Sequence, residues 1–243
     1  MKRIIAMLLC LVVMCSAASA ADESTFRVRN GDRSKNQVAV TIDDCFNIEY
    51  VRKAYELTQQ YNVPITFFVL GMKLDEADRD LWRTIAESQN EIGNHTWGHR
   101  DLSNLNHQQI YVQLSRTQAD LDRVLGYHYP MQVFRPPYGH LNRNGKNHIN
   151  RAVMDVGYDH GILWDISQTN FKKCIAQVQN GSIMLFHTNP ADLRCMEQLI
   201  PALLEKGYEL VTISQMLGKD PVATSTDLYE FVEYDVWRKE KGL

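Results

Sequence analysis

The chain has 243 residues, 44% hydrophobic and 23% charged, with a formal net charge of −3 at pH 7. That length favours one domain with a sizeable core, and the ordinary composition excludes a disordered, collagenous or membrane-embedded protein. The mildly acidic balance argues against nucleic acid or an anionic lipid surface held by bulk charge.

Residues 1–20 stand apart at the start of the chain. Lys2-Arg3 precede a short apolar run, Ile4 to Met14, and Ala18-Ser19-Ala20 offers small residues for cleavage; this is the pattern of a secretory signal peptide. The run is too short for a transmembrane anchor, and Met14 before Cys15 is a poor match for lipid attachment. Cleavage after Ala20 removes two basic residues and no acid, taking the net charge from −3 to −5. The remaining chain is then expected outside the cytoplasm: secreted, periplasmic or cell-wall associated.

Beyond that point, apolar runs at 38–44, 65–71, 91–96, 132–137, 158–166, 182–188 and 209–213 read as strands. Helical patterning falls between them, near 48–61, 75–88, 107–125, 143–156 and 193–206, with a short piece near 173–179. Strand, helix, strand at this spacing predicts a parallel sheet with right-handed crossovers. Seven strands with no Gly- or Pro-rich linker point to a single-domain α/β fold over residues 21–218, a closed or nearly closed β/α barrel. A doubly wound open sheet competes, but no GxGxxG or GxxxxGK follows any strand. Residues 219–243 form an extension in which Leu228, Phe231, Val232 and Val236 recur at helical spacing, which predicts a terminal helix packed on the barrel. Signal cleavage leaves Cys45, Cys174 and Cys195. In an oxidising compartment three cysteines predict one disulfide and one leftover thiol. Cys174 and Cys195 follow the fifth and sixth strands, neighbours in such a barrel, and are the expected pair.

In a parallel β/α barrel, function gathers at the C-terminal ends of the strands. The first strand ends in Asp43-Asp44, the third in Asn94-His95-Thr96-Trp97-Gly98-His99, and the fourth in Phe134-Arg135-Pro136-Pro137-Tyr138-Gly139. The fifth ends in Leu163-Trp164-Asp165 and the sixth in Leu185-Phe186-His187. Each has an ordinary structural explanation, a helix cap, a buried histidine or a rigid turn, yet five converging polar strand ends predict a site. His95 and His99 are four apart, so one helical turn would bring both imidazoles to one face. A strand-end aspartate added to them gives a ligand set that suits Zn, and also Fe, Co or Mn, with an open position for water. Successive strand residues point to opposite faces, so both aspartates can serve only if the strand bends there. Asp44 can then bind the metal while Asp43 takes a proton from water that the cation acidifies. Arg135 is placed to pair with Asp43, Tyr138 to offer its backbone N–H to an oxyanion beside Gly139, and His187 to give a proton to a leaving group. Trp97 and Trp164, with Phe46 and Tyr138, are candidates for stacking on sugar rings, with buried packing as the alternative for each.

These residues together resemble the polysaccharide deacetylase family, carbohydrate esterase family 4. TIDDC is similar to the family's T-F-D-D-G, NHTWGH to H-[ST]-x-x-x-H, FRPPYG to R-x-P-[YF]-G, and LFH to L-x-H. The likeness runs in the family's order over about residues 36–217. It implies a distorted (β/α)7 barrel and metal-dependent hydrolysis of an acetyl group on a sugar. It further implies Asp43 as general base, Asp44, His95 and His99 as metal ligands, Arg135 as the residue that orients the base, Tyr138 as oxyanion donor, His187 as general acid and Leu185 lining the acetyl pocket. Two departures stand out. Where the family often has D-x-x-D-W, this chain has Ser167, Asn170 and Phe171; Asp165, on the same strand face as Ser167, is expected to reach Arg135 instead. Cys45 and Phe46 replace the usual Gly and Pro, and Cys45 is read as a space-filling residue at the groove, with a fourth metal ligand or a redox-sensitive thiol as the alternative. The expected partner is an acetylated glycan such as peptidoglycan, chitin or an exopolysaccharide. An O-acetyl esterase acting on a polymer such as xylan, and a non-catalytic sugar-binding relative, are the alternatives.

Overall fold

The structure is a computed structural model that describes residues 26–141 and 148–243; the expected signal peptide lies outside them. Its strands are β1 (Arg27–Val28), β2 (Gln37–Asp44), β3 (Thr66–Val69), β4 (Glu91–Asn94), β5 (Gly161–Ile162), β6 (Ile183–His187) and β7 (Glu209–Leu210). The helices are α1 (Ile48–Tyr61), α2 (Arg79–Ala86), α3 (His107–Leu125), α4 (His148–Val156), α5 (Phe171–Gln177), α6 (Pro190–Glu205), α7 (Ile213–Met216) and α8 (Tyr234–Glu240). Strand and helix alternate as the sequence predicts, with two exceptions: the two-residue β1, which carries too little apolar patterning to be read, and the run at 132–137, which forms only single bridges at Phe134.

All strand ladders are parallel. The order runs β4-β3-β2-β6, with β7 pairing the first residues of β2 and β1 pairing β5. Single bridges carry the path further: Phe134 lies between Asn94 and Gly161, and Ile166 pairs Met184 of β6. The ring from β2 through β3, β4, Phe134 and the 161–166 segment back to β6 is thus completed by isolated bridges rather than by full ladders. This is a distorted (β/α)7 barrel. The run at 132–137 keeps only the bridges at Phe134, since Pro136 and Pro137 cannot donate to a ladder, and the run at 158–166 keeps only β5 and a bridge at Ile166.

Alternation sorts the core into two layers. On β2, Val38, Val40 and Ile42 face the helices, as do Phe67 and Val69 of β3 and Met184 and Phe186 of β6. The inner layer contains Ala39, Phe68, Val133, Ile162 and Ile183. Gly93 on β4 leaves room for the Phe68 ring, since an added Cβ would come within 2.8 Å of it. Inside the opposite end of the ring, buried Glu91 accepts from Thr66 Oγ1 and from the Ser214 hydroxyl and amide, tying α7 across the opening. Burial pushes its carboxyl above the usual range, with these donors opposing the shift.

Helix ends carry their own signals. The Asn47 side chain caps α1, Asn106 and Gln109 form a reciprocal capping box on α3, and Gly126 closes α3 at φ 75°. After α7 the chain crosses the outer face of α3. Ser225 and His128 exchange two backbone hydrogen bonds, Tyr229 N donates to Asp122, and Tyr111 Oη donates to Val232 O. The helix expected here is present but short, and its buried face differs from the predicted stripe. Tyr234 and Trp237 pack on Tyr111, whereas Leu228, Phe231 and Val236 are exposed. The stripe misled because only Val236 lies within the helical segment, and aromatic bulk decided the contact.

No helix among the described residues is long and apolar enough to cross a membrane. Cys174 on α5 and Cys195 on α6 are buried free thiols, and the Cys195 thiol donates to Gln168 O at 3.6 Å. The expected disulfide is corrected to two free thiols.

Candidate metal and catalytic site

β2 stops at its two carboxylates because the backbone turns over. Asp44 and Cys45 adopt φ 69° and 51°, and Cys45 N donates back to Asp43 O at 2.8 Å. Left-handed φ is uncommon for residues other than glycine, and it lets two consecutive side chains serve one site. Asp43 stays on the inner face beside His187, its register partner on β6. Asp44 turns toward the histidines.

His95 and His99 leave the end of β4 on a loop, not on the helical turn that their spacing suggested. Thr96 and His99 take φ 72° and 54°. Asn94 anchors the loop, accepting from Thr96 N and donating to Leu114 O and the Tyr158 hydroxyl. The Asp44 Oδ1 atom lies 3.5 Å from His95 Nε2 and 3.4 Å from His99 Nε2. That oxygen is buried and has no hydrogen-bond partner. A bare carboxylate oxygen between two imidazole nitrogens, all ligand atoms within 4.8 Å of one another, fits a divalent cation: two histidines and a carboxylate are a donor set for Zn or another first-row metal. His95 Nδ1 lies 2.8 Å from Arg135 O. Donation to that carbonyl leaves Nε2 as the ligating atom. Burial pulls the His95 pKa below its ordinary value, against Asp43 and Asp44, which favours the neutral form that a metal needs.

Arg135 is wholly buried. Its Nη1 donates to Asp43 Oδ1 at 2.7 Å and to Thr41 Oγ1, its Nε to Ile162 O and its Nη2 to Leu163 O. The guanidinium lies 4.2 Å from the Phe68 ring centroid and 5.7 Å from that of Trp164. Asp165, expected to support it, does not reach it. The Asp165 carboxylate pairs with Arg33 at 2.7 Å and accepts from Ser182 Oγ and Ile183 N. Two backbone carbonyls and Thr41 take its place. Thr41 was legible, being two residues before Asp43 on the same face; the carbonyls carry no side-chain signal. Asn170, where the family pattern has an aspartate, caps α5 by accepting from Lys173 N.

Tyr138 takes φ 59° and Gly139 φ 66°. The Tyr138 N–H has no protein acceptor among the described residues, and the Tyr138 ring stands edge-on to His99 at 4.6 Å. Across the mouth, His187 pairs with Asp192 of α6, a residue that strand-end reasoning missed because it lies on the following helix. Leu185, two residues before His187, faces inward beneath it and is 6% exposed. Trp97 is turned onto α3: its Nε1 donates to Asp120 and Arg116 lies over its ring at 3.9 Å. That corrects its sugar-stacking expectation to packing. Trp164 is half-buried against Gly139 and Arg135, while Phe46, Met72 and Tyr138 are exposed.

The polysaccharide deacetylase profile matches residues 30–158, more than half of the chain. The chain belongs to the polysaccharide deacetylase family. It is 30% identical over 197 residues to the peptidoglycan-N-acetylmuramic acid deacetylase PdaC of Bacillus subtilis, covering 76% of this chain and 39% of that protein. It is 28% identical over 201 residues to a peptidoglycan-N-acetylglucosamine deacetylase of Bacillus cereus, covering 77% and 70%. The fold matches a crystal structure of the Bc1960 peptidoglycan N-acetylglucosamine deacetylase with a TM-score of 0.69 at 26% identity, over 80% of this chain and 94% of that one. Within this family fold, Cys45 is a buried thiol in the left-handed position. Burial and the neighbouring Asp43 and Asp44 push its pKa well up, and its Sγ lies toward Phe68 O at 4.0 Å, outside the cluster of Asp44, His95 and His99. Cys45→Gly is expected to leave metal content and activity unchanged. Relief of about 1 kcal/mol of backbone strain offsets a similar loss of burial, and a melting temperature within a few degrees of wild type checks this.

Proposed function

We propose that this protein is an extracytoplasmic, metal-dependent N-deacetylase acting on N-acetylated amino sugars of peptidoglycan or a related glycan. The observation that carries the reading is the bare Asp44 Oδ1 between His95 Nε2 and His99 Nε2, next to Asp43 held by Arg135. The peptidoglycan substrates in the relatives' names support the glycan, and the signal-like residues 1–20 support the location. The chain covers 39% of one of these relatives and 70% of another. Asp44, His95 and His99 would hold the cation, with Zn first and Co, Fe or Mn as alternatives. A bound divalent cation supplies Lewis acidity at the acetyl carbonyl and lowers the pKa of water.

The chain's own groups do the rest. Asp43 accepts a proton as the water oxygen bonds to the acetyl carbon, and Arg135 and Thr41 fix the orientation of its carboxylate. The Tyr138 N–H donates to the oxyanion as charge develops there. Leu185 gives the acetyl methyl an apolar floor. The C–N bond breaks as His187 passes a proton to the sugar nitrogen, releasing acetate and a free amine.

The test is acetate release from peptidoglycan, chito-oligosaccharides and acetylxylan. Release from the N-acetylated substrates is expected, lost with a chelator and restored by Zn or Co. Release from acetylxylan alone would replace the amide with an ester. Metal-loaded protein that frees acetate from none of them overturns the reading.

A further inference from the structure

We propose that Asp192 is the positioning residue for His187, holding its imidazole by Nδ1 so that the proton to be donated sits on Nε2. This rests on the function proposed above and adds a residue that neither the strand-end motifs nor the family pattern assigns.

The placement follows from local chemistry. β6 ends at His187, and two residues later Asn189 caps α6, its side chain accepting from Ala191 N and Asp192 N with Pro190 at the first helical position. Asp192, in the first turn, is 2% exposed. Its Oδ2 accepts from His187 N at 2.7 Å, from Asn189 Nδ2 at 2.9 Å and from His187 Nδ1 at 3.4 Å. A helix-capping acid explains the contact to His187 N. It does not explain why three donors share Oδ2 while Oδ1 is buried without a partner. The carboxylate is turned so that its partnered edge faces the histidine, meeting both the His187 N–H and the ring Nδ1.

The consequence is chemical. With Nδ1–H directed at the carboxylate, the neutral imidazole has its lone pair on Nε2, and protonation there creates the acid. The charged groups acting on His187 are Asp192 from α6 and Asp43 and Asp44 from β2, with Arg135 already paired to Asp43. The Asp192 hydrogen bond is the largest influence and, with the three carboxylates, raises the His187 pKa against burial. The protonated imidazole therefore persists to higher pH than a free histidine would allow.

Asp192→Asn separates this from capping, because the amide oxygen still accepts from His187 N while the charge is gone. In the zinc-loaded protein, kcat for acetate release is expected to fall roughly ten- to hundredfold, part of the 10²–10⁴ a general acid contributes, with KM little changed. Because activity needs protonated His187, the alkaline limb of the kcat–pH profile moves to lower pH. Asp192→Glu restores the limb at least in part. His187 titration followed by NMR gives a readout independent of turnover, and its pKa falls in Asp192→Asn and in Asp192→Ser, a second variant that keeps a cap-compatible oxygen. An unmoved His187 titration and alkaline limb in the folded variants overturn the proposal. Wild-type protein that releases no acetate sinks the function instead, and the titration still decides the role of Asp192.

Discussion

Arg135→Met is expected to destabilise the protein by about 3–5 kcal/mol, the usual result of removing one partner from a buried ion pair, and to abolish turnover. Both groups are sealed: Arg135 is fully buried and Asp43 is 3% exposed. The substitution fills similar volume but leaves the Asp43 carboxylate without its cation and the carbonyls of Ile162 and Leu163 without donors. Those two carbonyls lie on the segment that closes the ring only through single bridges, so the loss falls where the barrel has the fewest ladder bonds. Arg135→Lys keeps a charge but cannot reach Asp43, Thr41 and two carbonyls from one nitrogen, and is expected to retain only part of the stability. Urea denaturation at neutral pH measures both, and a stability for Arg135→Met within 1 kcal/mol of wild type would remove the ion pair from the explanation of this fold.

Asp43→Asn is expected to lower kcat by roughly 10²–10⁴, the range for losing a general base, while the protein still binds metal. The amide keeps the size of the carboxylate and can still accept from Arg135, but it cannot take a proton. The ligand set of Asp44, His95 and His99 is untouched. Asp44→Asn should do the reverse, with metal content falling first and activity following it. Elemental analysis of dialysed protein beside acetate-release kinetics separates the two adjacent carboxylates. If Asp43→Asn keeps wild-type kcat, or loses metal as Asp44→Asn does, the division of labour at the end of β2 is wrong. Asp43→Asn also leaves Arg135 buried without a counter-charge, so its stability should fall too. The effects of Asp43→Asn and Arg135→Met on stability should then be less than additive in the double variant, since each breaks the same pair.

Most of the alternation of strands and helices was legible in the residues alone, because apolar runs bounded by caps such as Asn47, Asn106 and Gly126 leave the backbone few choices. Also legible were the residue types that meet at the mouth, since the strand ends carry Asp43-Asp44, His95, Arg135 and His187 in an order that a parallel barrel must gather. Local periodicity could not specify how those groups are aimed. The two histidines converge through left-handed Thr96 and His99 rather than a helical turn, and the aspartates separate because Asp44 and Cys45 adopt positive φ. Such conformations are held by surrounding contacts and leave no mark in hydrophobic pattern.

Partners at long range were set by the packing of the barrel. Asp165 shares a strand face with Ser167, so reaching Arg135 was a sound expectation; it pairs instead with Arg33 from the connection between β1 and β2. Trp97 was drawn onto α3 by Asp120 and Arg116. Asp192 reaches His187 because a two-residue connection folds α6 back over the end of β6. In each case the outcome turned on whether a group separated in sequence could pair with a buried charge at short range. That is a property of the packed barrel, where an unpaired polar atom is costly enough to select its partner.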